Sequence, residues 1–198
     1  MEKVIINDNR GTSEFNVSAV LARQRVLYIE GEISMELAMN FQRQVQYLTI
    51  QDRNAPIKVF VNSPGGVIAA GLIIYDIIQS STAPIELYCT GAAYSMGAVI
   101  FSCGKHGRYI LPHSKVMIHE PLVAGGVGGK TSSILTLAND LLATKEKMDR
   151  ILSKHTGKSR EEISQATNKD NYFTAEEAVE FGLCDRIMGF HEMMEGIE

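Results

Sequence analysis

Apolar residues in this chain follow two rhythms. Short, mostly apolar runs at 26–29, 57–61, 85–89 and 115–118 have the length and composition of buried strands. Between them the spacing lengthens to three and four. Leu37, Phe41, Val45 and Leu48 make one face of a helix that Ser34 opens as N-cap, and Pro56 ends the connection to the next strand. Ile68, Gly71, Leu72, Ile74, Tyr75 and Ile78 make the inner face of a second helix, running to about Ser80. A third, of small and apolar residues, covers 96–103. Strand, crossover helix and strand recur about three times, which predicts right-handed βαβ units and a mostly parallel sheet in an α/β fold.

The two ends of the chain read differently. Residues 1–16 are polar with one apolar patch, Val4-Ile5-Ile6, which leaves open whether they form a tail, and Phe15, Val17, Val20 and Leu21 suggest a short amphipathic turn. Residues 123–129 are too rich in glycine for a regular element and read as a mobile loop. A long helix follows over 131–155, about 36 Å, with Ile134, Leu137, Leu141, Met148, Ile151 and Leu152 apolar and Thr156-Gly157 as its stop. Ser159 with Glu162, and Thr174 with Glu177, are capping boxes opening two short helices. Between them 167–173 reads as a polar loop ending in an aromatic pair. There is no internal repeat, and 198 residues suit a single domain.

Composition narrows the function. Charged residues are 21% and the net charge is −4, which gives no footprint for nucleic acid. No apolar run reaches the length of a membrane span, and the first residues lack a signal-peptide core, so the expected location is the cytoplasm. Cys89, Cys103 and Cys184 are odd in number and sit among apolar neighbours, as buried thiols do. Neither a P-loop nor a metal-ligand cluster is present, so no cofactor is expected.

The chemistry centres on Ser95, which stands between a strand-like run and the first turn of a helix. There the free backbone N–H groups and the helix dipole favour negative charge, as an oxyanion requires. A serine there can equally be a plain N-cap. Asn62-Ser63-Pro64-Gly65-Gly66-Val67 forces a turn with accessible amides straight after another strand. Serine becomes a nucleophile only beside a base that a third group orients. His119 ends an apolar strand and Pro121 stops the chain after it, whereas His106, His113, His155 and His191 read as exposed. The ends of parallel strands line the binding crevice, so Ser95, the Gly65-Gly66 turn and His119 converge on one edge. For the acid, spacing leaves Asp170 and Asp185 both open. A Gly-x-Ser-x-Gly hydrolase elbow is disfavoured, because Ser95 lies four residues after Gly91.

Taken in order, Asn-Ser-Pro-Gly-Gly (62–66), Tyr-Ser-Met-Gly-Ala (94–98), Met-Ile-His-Glu-Pro (117–121), His-Thr-Gly-Lys (155–158) and the segment 175–185 resemble the ClpP family, the proteolytic subunits of Clp proteases. The resemblance runs from about Phe15 to Asp185. It implies a ClpP/crotonase-like fold with a protruding long-helix handle at 123–156, an N-terminal axial segment at 1–16 and a C-terminal tail at 188–198. It implies Ser95 as nucleophile, His119 as base and Asp170 as the orienting acid. It further implies the amides of Gly66 and Met96 as oxyanion hole, with Gly65, Val67, Pro121 and Leu122 holding an extended peptide. Two stacked heptameric rings, unfolded polypeptide substrates and an AAA+ unfoldase such as ClpX, ClpA or ClpC belong to the same implication. Within the match, Tyr94 replaces a small residue and so is expected to narrow the pocket beside the serine. Glu120 replaces Gln, and Ala166, Asn168 and Lys169 replace a more charged pattern. Lys58 stands where an aromatic residue often lines the unfoldase pocket. The weighed alternatives are a catalytically silent ring subunit and a crotonase-like acyl-CoA enzyme.

Overall fold

A computed structural model describes residues 3–8, 11–123, 125 and 128–197. Residues 124, 126 and 127, within the stretch expected to be a glycine loop, lie outside the described residues.

The first segment forms a hairpin: β1 (Lys3–Asp8) pairs antiparallel with β2 (Gly11–Asn16). Asn16 then caps α1 (Val17–Arg23), accepting from the Ser18 N–H at 3.0 Å. The central sheet follows. Its strands β3 (Val26–Glu30), β4 (Ile57–Ser63), β5 (Ile85–Tyr94), β6 (Arg108–Ile110) and β9 (Arg186–Ile187) lie side by side in that order, all parallel. The crossovers are α2 (Met35–Gln51), α3 (Ile68–Ser80) and α4 (Met96–Ser102). Ser34 caps α2 as expected, accepting from the Leu37 N–H at 3.2 Å.

One strand determines where the site forms. β5 is twice the expected length, ten residues, and reaches Tyr94 without an intervening loop. Its first half pairs with β6 through Leu87–Cys89, and its last residues pair instead with β7 (Lys115–Ile118) through Ala92–Tyr94. At the fork Ser114 Oγ accepts from the Gly91 N–H at 2.7 Å and donates to the Cys89 carbonyl at 3.2 Å. β7 carries an antiparallel edge strand, β8 (Asn171–Phe173), inside the stretch expected to be loop.

Strand alternation sorts the side chains into two layers. Leu27, Ile29, Val59, Val61, Leu87 and Cys89 enter the main core under α2, α3 and α4. The opposite face carries a row of rings, Tyr28, Phe60, Tyr88 and Tyr109, with neighbouring centroids 5.0–5.6 Å apart. The C-terminal helix α8 (Phe190–Met194) packs there through Met193. Lys58 latches it, donating to the carbonyls of Met193 (2.9 Å) and Glu195 (2.6 Å) while lying over the Tyr88 ring.

The long helix α5 (Thr131–Thr156) buries Met148, Asp149 and Leu152, whereas Ile134, Leu135 and Leu142 in its first half stay exposed. The capping boxes of α6 (Arg160–Thr167) and α7 (Ala175–Phe181) both form. No helix among the described residues is long and apolar enough to cross a membrane.

Candidate active site

β5 turns into α4 at a single residue, Ser95, whose φ of 54° and ψ of −121° lie outside the regions an L-residue occupies comfortably. Among the described non-glycine residues, only Arg25 shares a positive φ. Such a conformation costs on the order of 1–3 kcal/mol and persists only where its surroundings enforce it. Here they do. The Ser95 N–H donates to the Met117 carbonyl at 2.8 Å, and the Ser95 carbonyl accepts from Ala98 (3.0 Å) and Val99 (3.2 Å). Met96 is locked below, its side chain filling the space that a Cβ on Gly71 would take. The hydroxyl makes no capping bond, so the plain N-cap role does not describe it.

The turn after β4 reaches the same place. Gly65 has φ 98°, and a Cβ there would lie 2.7 Å from Ser95 Cβ; at Gly66, φ 150°, it would lie 2.5 Å from the Ile33 carbonyl oxygen. Only glycine lets this backbone press against both neighbours. Ser63, fully buried, pins the turn by donating to the Gly31 carbonyl (2.6 Å) and accepting from the Gly65 N–H (3.1 Å). The Val67 N–H donates to Ile33 and its carbonyl accepts from Gly71. The Gly66 N–H, by contrast, donates to no group among the described residues. As the first amide of α4, the Met96 N–H has no intrahelical acceptor.

His119 follows β7 directly. Its Nε2 lies 2.7 Å from Ser95 Oγ, and its Nδ1 lies 3.3 Å from Asp170 Oδ1. The His119 side chain is mostly buried, whereas that of Asp170 is 61% exposed, so the acid is the loosest member. Asp185 is committed elsewhere, accepting from the Arg108 N–H at 2.8 Å and its Nε at 3.1 Å. Asp149, on α5, is committed as well and pairs with Lys145 at 2.9 Å. His106, His113 and His191 are exposed as expected. His155 is not: it is half-buried against Tyr75, its Nε2 3.1 Å from the Tyr75 hydroxyl. Burial first, then Lys154 and Arg108, lowers its pKa to about 4. Pro121 and Leu122 follow His119 outside regular structure, Leu122 exposed.

The arrangement offers a hydroxyl within proton-transfer reach of an imidazole, a carboxylate on the far side of that ring, and free amides beside the hydroxyl. No thiol competes, because burial raises Cys89, Cys103 and Cys184 to about 12. The supporting groups were not legible in the sequence. Ser63 lies inside the Asn-Ser-Pro-Gly-Gly motif, where its two-residue spacing to Gly65 signals a hydroxyl-closed turn. Thr167 gave no such signal. It holds the acid-bearing loop through its carbonyl, which accepts from the Glu120 N–H at 2.8 Å. Tyr94 turns its ring edge-on to Tyr172, centroids 5.6 Å apart.

A sequence model of the family described as Clp protease matches residues 9–191. That span takes in the whole central sheet and every residue of the site. The chain therefore belongs to the Clp protease family and is a serine-type endopeptidase of it.

Proposed function

We propose that Ser95, His119 and Asp170 are the catalytic triad of this peptidase. The observation that carries the reading is the contact of His119 Nε2 with Ser95 Oγ at 2.7 Å, with Asp170 on the other ring nitrogen. With Nδ1–H directed to Asp170, Nε2 is left as the acceptor. The serine proton passes to Nε2 as Oγ bonds to the substrate carbonyl carbon. The oxygen's developing charge meets the Gly66 and Met96 N–H groups, which are fixed before the reaction and need no reorganisation. Collapse of the tetrahedral adduct expels the amine, which takes the proton from Nε2, and water repeats the sequence to free the acid. Asp170 stabilises the imidazolium without itself taking the proton.

An extended peptide lies between the Gly65–Gly66 turn and the Pro121–Leu122 segment in this reading. Val67 contributes a side-chain wall, since its N–H and carbonyl are already engaged. The whole chain is one peptidase unit, and it works in the cytoplasm. It forms two stacked heptameric rings that enclose the sites, the α5 region serving as handle. An AAA+ unfoldase of the ClpX, ClpA or ClpC kind delivers unfolded polypeptides. The family's habit of forming ring oligomers with AAA+ partners supports this assembly, as does the apolar surface left open on α5.

Ser95→Ala in the full chain tests the assignment. Hydrolysis of a fluorogenic peptide should fall by several orders of magnitude, with assembly unchanged. Near wild-type turnover would refute it.

A further inference from the structure

Each member of the proposed triad has a neighbour in one transverse row of the sheet. Tyr94 pairs in register with Met117 across the parallel β5–β7 ladder, and Met117 pairs with Tyr172 across the antiparallel β7–β8 ladder. Partners in register project to the same face. Tyr94 is one residue from Ser95, Met117 is two from His119, and Tyr172 is two from Asp170. The outer rings meet over the middle position, edge to face at 85° and 5.6 Å, an arrangement that aromatic quadrupoles favour. Beneath them Met117 is only 7% exposed, although Tyr172 itself is 53% exposed. The Met117 carbonyl also receives the Ser95 N–H.

The acid needs such support. Asp170 precedes a strand of only three residues that lies at the sheet edge, pairs with β7 alone and exposes most of the carboxylate. A strand so short holds its register through few ladder hydrogen bonds, and cross-strand side-chain pairs carry much of the remainder.

We propose that Tyr94 and Tyr172, closing over Met117, are positioning residues that hold the Asp170 segment in register with His119 and Ser95. The proposal rests on the triad reading above. Tyr94 then acts as a fastener between the nucleophile strand and the acid strand, and the expected narrowing of the substrate pocket is not its main effect. The contact needs the rings and not the hydroxyls, so phenylalanine suffices at either position.

The test uses the full-length protein, with peptide kinetics and the rate of Ser95 phosphonylation by a fluorophosphonate probe. A displacement near 1 Å at a reacting group can cost roughly 100-fold, so loosening one arm should cost about tenfold. Tyr94→Ala and Tyr172→Ala should each lower kcat and the labelling rate about tenfold, with KM within about twofold. Tyr94→Phe and Tyr172→Phe should restore both rates. In an Asp170→Asn background, Tyr94→Ala should change the labelling rate less than about twofold, because the brace acts through Asp170. Tyr94→Leu keeps apolar cover without a ring and should match the alanine variant; it is the one to read if alanine unfolds the chain.

Unchanged kcat in the alanine variants would overturn the proposal. So would a rise in KM with kcat kept, which would place Tyr94 in substrate binding, or a full effect persisting without Asp170. Failure of the triad reading shows separately, as activity retained in Ser95→Ala.

Discussion

Ser95 and Gly66 occupy backbone conformations that their neighbours impose, and both depend on atoms distant in sequence. Ser95 is held by a hydrogen bond to Met117 and by the start of α4, and Gly66 by the strand-like bridge to Ile33. Gly66→Ala would set a Cβ against the Ile33 backbone at a φ that alanine rarely adopts. The turn must then move, and its free amide with it. Stability should fall by more than about 1 kcal/mol, and kcat by about 100-fold if the N–H leaves the oxyanion position. Urea unfolding and peptide kinetics on the same sample separate the two effects. Wild-type kcat in a folded Gly66→Ala protein would remove Gly66 from the oxyanion role.

The long elements were legible, as were the short helices marked by capping boxes and the short strand β7, whereas the shortest strands were not. β3, β4, α2 and α3 follow the apolar rhythm because each buries a continuous face in the core, and α5 does so only over its last turns, at Met148, Ile151 and Leu152. β6, β8 and β9 have two or three residues, too few to show a period, and form because longer strands offer them an edge. For the same reason the full length of β5 was hidden. Residues 90–94 lack the apolar run of 85–89, and pairing with β4 and β7 extends the strand through them. Ser95 and His119 could be read from their places at element ends. Spacing left Asp170 and Asp185 open, and only Arg108, from another strand, shows why Asp185 is occupied. His155 was misread because the α5 surface it shares with exposed lysines also meets Tyr75 from α3.

That histidine gives the fold an acid limit. Its folded pKa of about 4 lies below the unfolded value of 6.5. Between these values the unfolded chain binds more protons, so the contribution of His155 is present above about pH 6.5 and is lost as pH falls toward 4. With the ring half in solvent, the loss is on the order of 1 kcal/mol. His155→Gln should flatten that part of the stability–pH curve, measured as unfolding midpoints at pH 7 and 4.5. An unchanged slope would contradict the assignment.

For the molecule as a whole, the two sheet faces and α5 divide the tasks. One face is covered by helices, and the aromatic row on the other is closed in part by α8 under its Lys58 latch. α5 carries apolar surface into solvent along its first half, with Leu135 and Leu142 near 60% exposure. In the proposed double ring this surface joins the two halves. Leu135→Glu with Leu142→Glu should then shift the solution mass from fourteen subunits to seven or fewer while the thermal midpoint of the subunit is kept. An unchanged mass would move the ring contact elsewhere. The most direct measurement concerns the triad itself: intact mass and peptide mapping after fluorophosphonate treatment of the wild type, Ser95→Ala and His119→Ala. One adduct per chain on Ser95, absent from Ser95→Ala and strongly slowed in His119→Ala, is the expected result. Labelling elsewhere, or none in a protein that still cleaves peptides, would contradict it.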